Sequence, residues 1–130
     1  MKAFTDIEQS KKLAEILPVE SADQTWERIA IAGANLDVPE EMEYWHNGNT
    51  PYFLNSKIGA PCWSLAALLN LLPSVITRNG KRMFLTLEKA GAYNLYYKSP
   101  DRLDELWETK EDAIDACYEL ILKLNEQKLL

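Results

Sequence analysis

His46 and Cys62 are the two side chains of this 130-residue chain best suited by type to nucleophilic chemistry: one takes a proton near neutral pH, the other attacks as a thiolate. Cys62 stands just before an apolar run, residues 65–72, that Ser64 is placed to cap as a helix, and a helix N-terminus favours a thiolate. Together the pair would make a thiol-dependent hydrolase. Against that, Cys62 sits between Pro61 and Trp63 with no orienting carboxylate or oxyanion donor beside it, and a buried cysteine behaves as a small hydrophobe. Cys117 falls on the apolar stripe of a later helical segment and reads as packing.

Metal chemistry would need further ligands around His46, the sole histidine. Glu40, Glu41 and Glu43 are the nearest acids, and the E-x-x-H spacing of Glu43 and His46 occurs once, whereas helical metal sites use it twice. Asp101, Asp104, Glu105 and Glu108 imitate an acid–base pair, but no apolar surroundings raise one pKa above the other, so they read as solvated charge. The five glycines are isolated, which leaves no phosphate cradle. No cofactor and no catalytic residue is implied.

The remaining candidate is the stretch YWHNGNTPYF, residues 44–53. Trp45, His46, Asn47 and Tyr52, with Trp63 beyond, would line a surface for a peptide, a small ligand or a partner, the rings giving area and the amide giving direction. The plainer reading folds the rings over the core and turns the chain at Asn47-Gly48-Asn49, and that reading is preferred.

Twenty acidic against fourteen basic side chains give a net charge of -6, a field that repels phosphate backbones and anionic lipid. Nucleic acid and membrane are therefore not expected as partners. A protein partner is compatible with the acidic runs, and the chain is read as a monomer or homodimer. The most apolar run, residues 64–76, contains Asn70 and Pro73 and falls short of the ~20 residues that cross a bilayer. The first residues lack the apolar core of a secretory signal, so a cytoplasmic location with reduced thiols is expected.

The elements that must position these residues follow from spacing. Thr5 with Glu8 predicts a capping box for a first helix that Pro18 closes. Residues 25–33 are compatible with helix or strand, and helix is favoured; residues 36–61 predict irregular chain apart from a strand at 52–55. The run from residue 65 is apolar on nearly every side and predicts a buried central helix. Asn79-Gly80 predicts a type I′ hairpin between residues 75–78 and 81–88, with a third strand at 92–98. Residues 101–107 predict a helical turn or two. A last helix then runs from a Thr109 cap to about residue 127, with Ala113, Ile114, Cys117, Tyr118, Ile121 and Leu124 on one stripe.

Three blocks, FTDIEQSKKLAEILP, IGAPCWSLAALLNLLP and DACYELILKL, resemble small uncharacterised proteins of gut anaerobic bacteria and their phages or mobile elements. The resemblance covers about a third of the chain. It implies a bacterial, cytoplasmic, phage-related setting and carries over no functional residue. The sequence thus predicts a single α+β domain over residues 1–130, in which a three-stranded antiparallel meander packs with a buried central helix and N- and C-terminal amphipathic helices. Its expected role is that of a non-enzymatic interaction or accessory protein.

Overall fold

The computed structural model describes residues 2–29, 44–48 and 59–130, with side chains except at 27–29 and 44–48. The chain is α+β, with three α-helices and two antiparallel sheets among the described residues. Contacts group it into two compact units, one of the first five residues with Ser64–Leu130, the other Asp6–Trp63.

In the second of these, helix α1 (Ile7–Ala14) starts at a reciprocal capping box: Asp6 accepts from the Gln9 amide at 2.8 Å and the Gln9 side chain accepts from the Asp6 amide at 3.1 Å. The box lies one residue later than the Thr5–Glu8 pair suggested. Thr5 is fully buried, and Asp is as good a cap as Thr or better. A short 3-10 turn, Val19–Ser21, leads into strand β1 (Gln24–Ile29), which is central in a three-stranded sheet between β2 (Tyr44–Gly48) and β3 (Gly59–Cys62). Two expectations are corrected here. Residues 24–29 are strand rather than helix, because Thr, Trp and Ile suit a pleated ribbon and ladders on both sides satisfy the backbone groups. The stretch expected to be irregular contributes two strands, with Pro61 tolerated because β3 is an edge and lacks nothing there but an N–H. The strand expected at 52–55, with Tyr52, lies outside the described residues.

In the first unit, helix α2 (Leu65–Leu71) begins where Ser64 Oγ accepts from the Ala67 amide at 3.2 Å. Leu68 is fully buried, but Ala66 and Asn70 are exposed, so α2 is covered on one side rather than all round. A meander follows: β4 (Val75–Arg78), β5 (Lys81–Ala90), β6 (Ala92–Lys98) and β7 (Glu105–Lys110), neighbours in that order. The predicted hairpin is present, with Asn79 at φ 53 and Gly80 at φ 75, both left-handed as a type I′ turn requires. The meander has four strands, not three. Residues 105–110, ELWETK, alternate inward and outward against β6, which a helical turn would not do.

Helix α3 (Ala113–Glu126) is capped by Asp112, which accepts from the Ile114 amide at 3.0 Å, while Thr109 belongs to β7. Its buried stripe includes Ile114, Cys117, Leu120, Ile121 and Leu124 and packs on β6, β7 and α2. The sheet meets it with an inner face that buries Ile76, Met83, Leu95, Tyr97 and Leu106. Arg78 ties the first hairpin to the rest: it pairs with Asp104 in the β6–β7 connection and donates to the Gln127 side chain at 2.9 Å. The initial residues join the same unit. Phe4 bridges Ser64, the Leu65 amide donates to the Ala3 carbonyl at 3.4 Å, and the Lys2 amide donates to Asp112 Oδ2 at 2.6 Å.

Candidate functional site

The register of the three-stranded sheet decides where the nucleophile pair stands. His46 on β2 pairs with Glu27 on β1, and Cys62 on β3 pairs with Gln24. Directly paired residues share a face and successive residues alternate, so an odd offset along β1 puts the His46 and Cys62 positions on opposite faces. They are also separated by the full width of β1, two strand spacings or roughly 10 Å. The sheet therefore does not bring them together. Cys62 is fully buried as well.

Trp45 and Asn47 occupy the face of β2 opposite to His46, paired with Arg28 and Trp26. Trp63 is inside the protein: the residue is fully buried, and its Nε1 donates at 3.0 Å to Ser21 Oγ, which in turn donates to the Pro18 carbonyl. Of the five residues proposed from sequence as a ligand surface, Trp63 is thus a satisfied core tryptophan and three share an edge strand.

Cys117, Asp101 and Asp104 are each shifted away from nucleophilic or general-acid use. Burial pushes the Cys117 thiol up to about 12, so its thiolate is absent near neutral pH. Asp101 is held down to about 2, first by the Ser99 hydroxyl, then by the Leu103 amide and Lys81. Asp104 is lowered by its hydrogen bonds from Arg78. A general acid needs the opposite shift. Among the described residues no cluster of His, Cys, Asp or Glu could hold a metal ion, and no helix is long and apolar enough to cross a membrane.

A different surface stands out in the four-stranded sheet. The outward residues are Phe84, Thr86 and Glu88 on β5, Lys98, Tyr96 and Asn94 on β6, and Glu105, Trp107 and Thr109 on β7, paired row by row. Arg82 continues β5 one step beyond Phe84 on the same face. The Tyr96 and Trp107 rings stack, with centroids 4.6 Å apart and planes at 6°. Lys98 Nζ lies 5.7 Å from the Tyr96 ring centre and 6.0 Å from that of Trp107, and pairs with Glu105 at 3.8 Å. Arg82 stands over Phe84 at 5.8 Å. A polar chain orients the indole: Trp107 Nε1 donates to Thr109 Oγ1, which donates to Asn94 Oδ1 at 2.7 Å. Phe84 is nonetheless 46% exposed and Trp107 38%.

This surface pairs rings that are fixed in orientation with charges of both signs, which suits recognition rather than bond making. The sequence reading missed it. With residues 101–107 taken as helix, Trp107 has no strand to share with Tyr96; the clue was a short run holding the strand-favouring types Trp107 and Thr109, soon after the Ser99-Pro100 break. Scans against protein-family models, curated proteins and solved structures find no match.

Proposed function

We propose that the protein is a non-enzymatic interaction protein whose working surface is the outer face of the four-stranded sheet. The observation that carries this reading is the exposure of Phe84 and Trp107 on a face whose opposite side is the one α3 covers. A protein partner suits it better than a phosphate backbone, because Arg82 and Lys98 are balanced on the face by Glu88 and Glu105 and the whole chain carries -6. Cytoplasmic placement and an accessory role in a phage or mobile-element setting belong to the same proposal and are supported by the sequence resemblance. The thiol-hydrolase alternative draws no support from the register that parts His46 from Cys62.

Oxidative footprinting tests the reading. With the chain diluted into a bacterial extract, Trp107 and Phe84 are expected to become protected relative to buffer, and a Phe84→Asp chain is expected to lose that protection at Trp107. Equal labelling of Trp107 in buffer and extract, at every chain concentration, would remove this surface from the argument.

A further inference from the structure

We infer that the face is built to receive a second copy of the same chain, packed sheet to sheet about a two-fold axis. The inference rests on the interaction reading above and names its partner. Its basis is the order of charges along β5, where the outward residues run Arg82, Phe84, Thr86, Glu88, a cation at one end and an anion at the other.

Consider a two-fold axis lying across the strands between Phe84 and Thr86. It carries each outward position of β5 onto the one equally far on the other side. Arg82 then meets Glu88 of the second copy, twice by symmetry, and Phe84 meets Thr86. The same operation on β6 sets Lys98 over Tyr96 of the other copy, a contact Lys98 already makes within its own chain at 5.7 Å. Like charges on β5 end up three outward steps apart, roughly 20 Å, beyond strong repulsion in physiological salt. On β5 and β6 this is the self-complementarity an isologous interface needs, while on β7 the same axis sets Glu105 over Trp107 of the other copy. Sheets packed face to face tolerate the small angle that their twist imposes.

Growth of the sheet at its β7 edge is a competing route, and that edge is obstructed. On β7 the Trp107 carbonyl accepts from Lys123 Nζ at 2.8 Å and the Glu105 carbonyl from Arg78 Nη2 at 3.3 Å, which occupies acceptors an added strand would use. The face spans about 19 by 20 Å, or about 400 Å² in plan. That is smaller than the ~800 Å² per partner of a standard interface, so the pairing is expected to be weak and reversible.

Sedimentation equilibrium of the whole chain from about 1 to about 500 µM tests it. A reversible monomer–dimer equilibrium is expected. Arg82→Glu and Glu88→Arg should each weaken it roughly tenfold, whereas the double exchange Arg82→Glu/Glu88→Arg should restore it, because both cross-pairs re-form with their signs reversed. Unchanged circular dichroism shows that each variant is folded. A chain that stays monomeric throughout overturns the inference, as does a double exchange no better than the single ones. If the monomeric chain still shows Phe84-dependent protection of Trp107 in extract, only self-association falls and the surface keeps another partner; if that protection is also missing, the interaction reading falls with it.

Discussion

Tyr96 and Tyr97 are neighbours in sequence with opposite duties, and the difference lies in where each hydroxyl goes. Tyr97 is fully buried and donates to the Pro73 carbonyl at 2.6 Å, and burial raises its pKa far above the ordinary phenol value, so it remains a donor at any workable pH. Tyr97→Phe keeps the ring but strands that carbonyl, and about 1–3 kcal/mol of stability should be lost in urea titration, with no effect on the outward face. Tyr96 donates to Glu88 Oε2 at 3.3 Å in solvent. Two of the four tryptophans make the same point. Trp63, in the most distinctive sequence block, is core, while Trp107, hidden in an acidic stretch, is surface. Residue type alone marks neither. Depth is set by what packs against each residue.

At the scale of elements, the sequence is most legible where the signal is local. Asn79-Gly80 names its own turn, Ser64 names its own helix start, and the strand at 92–98 is found with its bounds intact. Gly80 shows why the turn signal is strong: a Cβ there would meet nothing within 4 Å, yet φ is 75. Gly80→Ala is therefore expected to lower stability by about 1 kcal/mol through backbone conformation alone, with a lower urea midpoint and an unchanged slope. Legibility fails at β1 and β7. Each has six residues, too few to separate a helical from an extended period, and what makes each a strand is a partner the local window does not show. β1 needs β2 and β3, contributed from a stretch rich in glycine and proline. The outer-face site was illegible for the same reason, since Phe84, Tyr96 and Trp107 share a surface only once three strands are in register.

At the scale of the whole chain, the acidic excess is partly put to structural use. Asp101 meets Lys81 at 3.0 Å and Asp104 pairs with Arg78, so the β6–β7 connection is fastened to the first hairpin by two carboxylates whose pKa values are depressed on folding. A depressed carboxylate stabilises the folded form fully above its unfolded pKa, near about 3.9, and loses that contribution as pH falls through the folded value. Stability measured by urea midpoint should accordingly hold from pH 7 to about 5 and decline between about pH 4 and 2. Asp101→Asn should shallow the decline. A profile of the same steepness in that variant would show that other carboxylates govern it.

The bridge between Phe4 and Ser64 has an implication of another kind. The chain departs after residue 5 and re-enters at residue 64 beside its point of departure, so roughly sixty residues form a closed excursion whose ends are already stitched together. Closing such a loop becomes only about 0.6 kcal/mol harder for each doubling of its length. Segments of very different size are thus nearly interchangeable between those two anchors, and the seam is where evolution, or an engineer, can exchange one insert for another while the meander keeps its own register.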